Sequence, residues 1–196
     1  MFPLNVPNLL TLLRILAVPV IVVALLDETP NGDALAAVVF ALAAFTDGLD
    51  GYIARWRGSV TTFGKLVDPL ADKLLIVAAL VSLVSLGRLA AWVAMVIIAR
   101  ELAVTVLRGV AAEQGVVIHA SWLGKVKTIL QVAAVFALIA AGDPAPVAVD
   151  VLVYAAVAAT VISGADYFLG LRRRLEAERR RRRREAARAT GFEPTS

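Results

Sequence analysis

Four aspartates fall within 26 residues of this chain, in the stretch FTDGLDGYIARWRGSVTTFGKLVDPLADK at 45–73: Asp47, Asp50, Asp68 and Asp72. The first two are three positions apart and the last two are four apart, spacings that put each pair on one face of a helix. Two neighbouring helices could aim all four carboxylates at one point. Four unpaired negative charges so close would repel strongly in a low dielectric. Protonation relieves that repulsion, and a pair of divalent cations about 4 Å apart, bridged by shared carboxylates, relieves it better. The chain has no cysteine and a single histidine, His119. An ion held here would be held by oxygen, which favours Mg²⁺, Mn²⁺ or Ca²⁺. Gly51 lies one turn after Asp47 and Gly64 one turn before Asp68, so a bulky ligand could approach the backbone beside the metals. Arg55, two turns after Asp47, could pair with a phosphate. Metals, an arginine and glycine gaps together point to a pyrophosphate-bearing substrate. Two other readings of the same spacing stand beside it. The acids could line an ion or proton pathway, or pair with Arg55, Arg57, Lys65 and Lys73 as interfacial salt bridges.

The elements that must position these side chains are those of a membrane protein. Of 196 residues, 60% are hydrophobic, and the mean hydropathy is +0.80, well above a soluble domain. Apolar stretches of about 20 residues read as spans, and six are predicted: 6–26, 33–56, 65–86, 89–112, 119–141 and 145–170. The breaks between them carry turn chemistry, among them DETPNGD at 27–33 and GDPAP at 142–146. The expected fold is all-α, an integral membrane bundle of six transmembrane helices. The first span has no small-residue cleavage site after it and reads as retained rather than removed.

Lysine and arginine placement sets the orientation. The breaks at 27–33 and 142–146 have none and the turn near 87 has only Arg88, whereas Arg55, Arg57, Lys65, Arg108, Lys125, Lys127 and the C-terminal tail fall on the other side. Both termini and the aspartates are therefore expected at the cytoplasmic face of a cell (inner) membrane. Ten of the twenty basic residues lie between Arg172 and Arg188. The chain divides on this reading into a membrane domain, 1–171, and a polybasic cytoplasmic tail, 172–196. The tail is expected to extend the last helix, its arginines either lying against anionic lipid or standing solvated as a topology determinant. Without interleaved aromatic residues it does not read as a nucleic-acid surface.

The pattern Asp47-x2-Asp50-Gly51-x2-Ala54-Arg55-x8-Gly64-x3-Asp68-x3-Asp72 resembles the signature of the CDP-alcohol phosphotransferases, with all eight specified positions present. The resemblance implies six helices around a cytoplasm-facing polar cavity, usually in a homodimer. It implies two divalent cations, Mg²⁺ or Mn²⁺, bound by Asp47, Asp50, Asp68 and Asp72, with Asp72 also the general base. Asp47, Asp50, Gly51, Ala54, Arg55 and Gly64 would line the CDP side, and Thr61 could add a hydroxyl or be a simple turn residue.

Further stretches, NVPNLLTLLRILAVPV at 5–20, IIARELAVTVLRGVAAEQG at 97–115, SWLGKVKT at 121–128 and SGADYF at 163–168, resemble the branch of that family acting on glycerol phosphate. They imply CDP-diacylglycerol as donor and sn-glycerol 3-phosphate as acceptor. Such an acceptor needs a cationic pocket. Arg100, Arg108 and Lys125 are the first candidates, with Lys127, Arg14 and Glu101 beside them; Glu101 could orient an arginine or accept a hydroxyl hydrogen bond. Charged side chains in hydrocarbon are costly and usually face a cavity. Plainer readings are an Arg100–Glu101 ion pair, and topology alone for Lys125 and Lys127. An inositol 1-phosphate acceptor would want the same basic pocket, and a cation transporter would use the same acids.

Overall fold

The computed structural model describes the backbone of residues 6–27, 30–57, 62–113 and 122–189, and the side chains of 9–27, 30–46, 71, 73–113, 122–174 and 176. These form six helices: α1 Val6–Leu26, α2 Gly32–Arg57, α3 Thr62–Ser85, α4 Ala91–Glu113, α5 Trp122–Ala141 and α6 Val147–Ala189. No strand occurs among the described residues. Five helices end within three residues of the intervals expected from hydropathy. The sixth runs on through the arginine-rich tail without a break.

Among the described residues, α1, α5 and the first part of α6 (Val147–Arg174) are long and apolar enough to cross a membrane. Within the described residues α2 and α3 have shorter apolar stretches, Gly32–Thr46 and Lys73–Ser85, and α4 carries Arg100, Glu101 and Arg108 within its apolar sequence. The packing is nonetheless that of a protein in lipid. Leu9, Leu12, Leu13, Leu16, Val20 and Val23 form an exposed stripe along α1, while Thr11 and Arg14 on the same helix are buried. Lys127, Gln131, Thr160 and Ser163 are also buried. Large apolar side chains outside and polar ones inside suit a hydrocarbon solvent and would be costly in water.

Among the described residues the helices pack through one apolar core that includes Ile21, Phe40, Ala79, Leu80, Leu83 and Ile139. Small residues at Ala36, Ala37, Ala43 and Ala79 let the helix backbones approach closely. α1 lies against α2 and α3; α6 lies against α4 and α5; α2 and α3 join the halves through α5 and α4.

One end of this bundle is held by short turns. Gly87, at φ 72°, closes α3: its own N–H donates to the Val84 carbonyl and the Arg88 N–H to the Leu83 carbonyl, both at 3.0 Å. That pairing needs a left-handed residue, which glycine supplies without strain. Arg88 Nη1 then donates to Asp33 Oδ1 at 2.7 Å. A Cβ added to Gly142 would lie 3.4 Å from Asp33 Oδ2. The turns before α2, after α3 and after α5 therefore meet at one end. The end of α2, the starts of α3 and α5, and the end of α4 lie at the other.

Candidate active site

That second end gathers the chemistry. Asp47, Asp50, Gly51, Ala54 and Arg55 occupy the last turns of α2; Gly64, Asp68 and Asp72 occupy the first turns of α3. The two helices pack against each other. The side chains of these residues lie outside the described ones, as does Thr61 altogether. Among the described residues no three histidine, cysteine or acidic side chains gather as metal donors, so the aspartates remain the candidate set. Their chemistry fits hard divalent cations: carboxylate oxygens only, at helical spacing on two packed helices.

Beside the α3 start, α3, α4, α5 and α6 enclose a cavity of about 520 Å³. Its lining brings together Lys73, Arg100, Arg108, Lys125 and Lys127, with Glu101 the one acid among the described residues there. Lys127 Nζ donates to Glu101 Oε1, Arg100 Nη1 donates to the same oxygen at 3.0 Å, and Lys73 Nζ stands 3.7 Å from Oε2. Arg100 also reaches α6, donating from Nη2 to Ser163 Oγ at 2.9 Å. Directly and through Arg100, one carboxylate thus ties four helices together, and among the described residues its three cations outnumber it. Arg108 and Lys125 have no carboxylate partner among the described residues, and the Arg108 guanidinium lies 6.0 Å from the centre of the Tyr167 ring, within cation–π reach. This lining can bind a dianion such as a phosphate monoester: fixed cations in a walled cavity are poorly screened.

Five of the six residues expected in the acceptor pocket therefore converge: Arg100, Glu101, Arg108, Lys125 and Lys127. Arg14 does not join them. It is buried on α1, a helix that packs on α2 and α3. The Arg100–Glu101 ion pair read as the plainer alternative is present, and Arg100 lines the cavity as well. Lys73, Ser163 and Tyr167 complete the lining without having been expected there. The signal for the last two was a polar stripe within apolar sequence, since Thr160, Ser163 and Tyr167 recur at intervals of three and four on α6.

Gly164 is what lets Arg100 lie along α6, because a Cβ there would stand 3.2 Å from Arg100 Cγ. Gly164→Val is expected to push Arg100 off Ser163 and weaken inorganic phosphate binding about fivefold, the worth of about one hydrogen bond, in titration against the parent. Helix formation should not suffer, since glycine is the poorer helix former.

An apolar groove of about 540 Å³ lies alongside, between α2, α3 and α5. Phe40, Phe45, Leu75 and Phe136 line it, and it shares Thr128 and Ile129 with the cationic cavity. A ligand with both an anionic head and long apolar chains would find the two environments adjacent.

The sequence also has known relatives. The family model for CDP-alcohol phosphatidyltransferases matches residues 4–162. A CDP-diacylglycerol–glycerol-3-phosphate 3-phosphatidyltransferase of Bacillus subtilis is 43% identical, over 84% of this chain and 93% of its own length. A probable phosphatidylglycerophosphate synthase of Mycobacterium tuberculosis is 47% identical, over 83% of this chain and 79% of its own. A Rickettsia bellii protein named as the Bacillus one is 37% identical over 84% and 93%. With a family match over most of its length and relatives this similar, the chain belongs to the CDP-alcohol phosphatidyltransferase family.

Proposed function

We propose that the protein transfers the phosphatidyl group of CDP-diacylglycerol to sn-glycerol 3-phosphate, giving phosphatidylglycerophosphate and CMP in phospholipid biosynthesis. The observation that carries the reading is the five-cation cavity beside the first turns of α3, suited to a small phosphorylated acceptor. The names of the relatives from Bacillus and Rickettsia support glycerol 3-phosphate as that acceptor.

Asp47, Asp50, Asp68 and Asp72 are the residues that would hold two divalent cations, Mg²⁺ or Mn²⁺. Bound there, the ions would neutralise charge on the CDP pyrophosphate. Gly51, Ala54 and Gly64 leave room for the nucleotide, Arg55 pairs with a phosphate, and Thr61 offers a hydroxyl. The diacylglycerol chains lie in the apolar groove between α2, α3 and α5. Arg100, Arg108, Lys125 and Lys127 hold the acceptor phosphate, with Glu101 fixing Arg100 and Lys127. Asp72 takes the proton from the acceptor 1-hydroxyl. The freed oxygen attacks the phosphorus bearing diacylglycerol, the bond to the CMP phosphate breaks, and CMP leaves with the electron pair. No protein nucleophile enters the sequence of bonds.

The proposed setting is a bundle of six spans, 1–171, around a polar cavity open to the cytoplasm, with both termini on that side of the cell membrane. The basic segment 172–196 forms the tail, and two copies of the chain associate as a homodimer.

Purified protein in liposomes containing CDP-diacylglycerol and Mg²⁺ tests the reading. CMP should appear with glycerol 3-phosphate, and far more slowly with inositol 1-phosphate. Preference for inositol 1-phosphate would reassign the acceptor, and cation flux across the liposome without CMP would overturn the enzyme.

A further inference from the structure

Lys73 belongs to two sites at once. It follows Asp72 directly in α3, yet its side chain lines the cationic cavity with Arg100, Lys125 and Lys127. Among the described residues no other cation of that lining comes from α3, the helix that carries Asp68 and Asp72. Its contact with Glu101 is loose, 3.7 Å from Nζ to Oε2, and its side chain is 20% exposed. Glu101 is closer to Arg100 and Lys127, which both donate to its other oxygen. Among the described residues Lys73 has only this loose acidic contact, and on a flexible stem such a lysine can turn its donors to an incoming anion.

We propose that Lys73 is a substrate-binding residue that grips the acceptor phosphate and so ties its position to that of Asp72. The inference rests on reading this cavity as the acceptor site. Adjacent residues of one helix cannot move apart, so a phosphate held by Lys73 stays within one lysine side chain's reach of the backbone that carries Asp72. The short carbon chain of the acceptor then brings its hydroxyl to the Asp72 carboxyl. Arg100, Arg108, Lys125 and Lys127, on α4 and α5, supply charge but not this registration. When the phosphate arrives, Lys73 exchanges a long ion pair with Glu101 for a charge-assisted hydrogen bond, and Glu101 keeps its two nearer partners.

The test compares Lys73→Met and Lys73→Arg with the parent in the CMP-release assay, using inorganic phosphate as a competitive inhibitor. Lys73→Met should raise the KM for glycerol 3-phosphate roughly tenfold to a hundredfold, the usual effect of losing a hydrogen bond to a charged group. The inhibition constant for inorganic phosphate should rise with it, the KM for CDP-diacylglycerol should stay put, and Lys73→Arg should recover much of the loss. A rise in the donor KM instead would assign Lys73 to the pyrophosphate and overturn the proposal. So would equal loss of kcat in both variants with an unchanged phosphate constant, the mark of a purely structural pair with Glu101. A parent that releases no CMP with any phosphorylated alcohol removes the acceptor reading itself. An active parent with an unaltered Lys73→Met variant removes only the role of Lys73.

Discussion

Asp72→Asn is expected to lower turnover by at least about a thousandfold while leaving a helical, membrane-inserted protein. The substitution keeps the shape of the side chain and removes its charge and its basicity. Loss of a general base alone costs roughly 10²–10⁴ in rate, and Asp72 is also one of the four carboxylates proposed to hold the divalent ions, so the two losses fall together. Asp72 sits in α3, between the turn that carries Asp68 and the residue Lys73 that enters the acceptor cavity. CMP release with saturating glycerol 3-phosphate checks the expectation, with circular dichroism of the same preparation as the control on folding. Product formed at the parent rate would show that another group takes the proton.

Glu101→Gln is expected to cost both stability and activity, for a different reason. Glu101 is the acid around which Lys73, Arg100 and Lys127 are arranged. Lys127 is buried and loses its nearest charged partner when Glu101 goes. Breaking a buried ion pair from one side is strongly destabilising, because an uncompensated charge stays behind. With Glu101 itself partly exposed, the cost should be about 2–3 kcal/mol rather than the fully buried figure. Unfolding of the detergent-solubilised variant measures it. Adding Lys127→Met to Glu101→Gln should restore much of that stability, since the stranded charge is then gone, while activity stays low because the cavity has lost a cation. A single variant as stable as the parent would mean that the three cations are balanced by something other than Glu101.

Much of this architecture could be read before any coordinates. Hydropathy located the helices because a bilayer demands about 20 apolar residues per crossing, a requirement the chain states plainly. Charge asymmetry sorted the loops: those at 30–31 and 142–146 carry no lysine or arginine, and they share one end of the bundle with Asp33 and Arg88. Arg88, which counts against that asymmetry, is there because it pairs with Asp33 across the end of α3. The convergence of Arg100, Arg108, Lys125 and Lys127 was legible because cations within apolar sequence have few places to go.

Which helices face one another was less legible. Lys73 and Ser163 stand 90 positions apart in sequence and meet the same cavity because α4 packs on α6 and α3 on α5. No local spacing encodes such neighbours. Arg14 shows the converse: a cation in an apolar helix, as expected of a cavity residue, but on an element that packs elsewhere.

The last helix does not stop where its apolar sequence stops. At a rise of about 1.5 Å per residue, residues 172–189 carry it roughly 27 Å further, with no interruption after Leu171. Ion screening in physiological salt acts over about 8 Å. In the proposed orientation the backbone of residues 179–189 therefore runs about 12 Å or more beyond Leu171, past that screening distance, and only a break in the rod would lay it flat. Dissolved anions drifting towards the opening would then feel this outrigger before they touch lipid, so added salt should slow their arrival rather than loosen the protein from its bilayer.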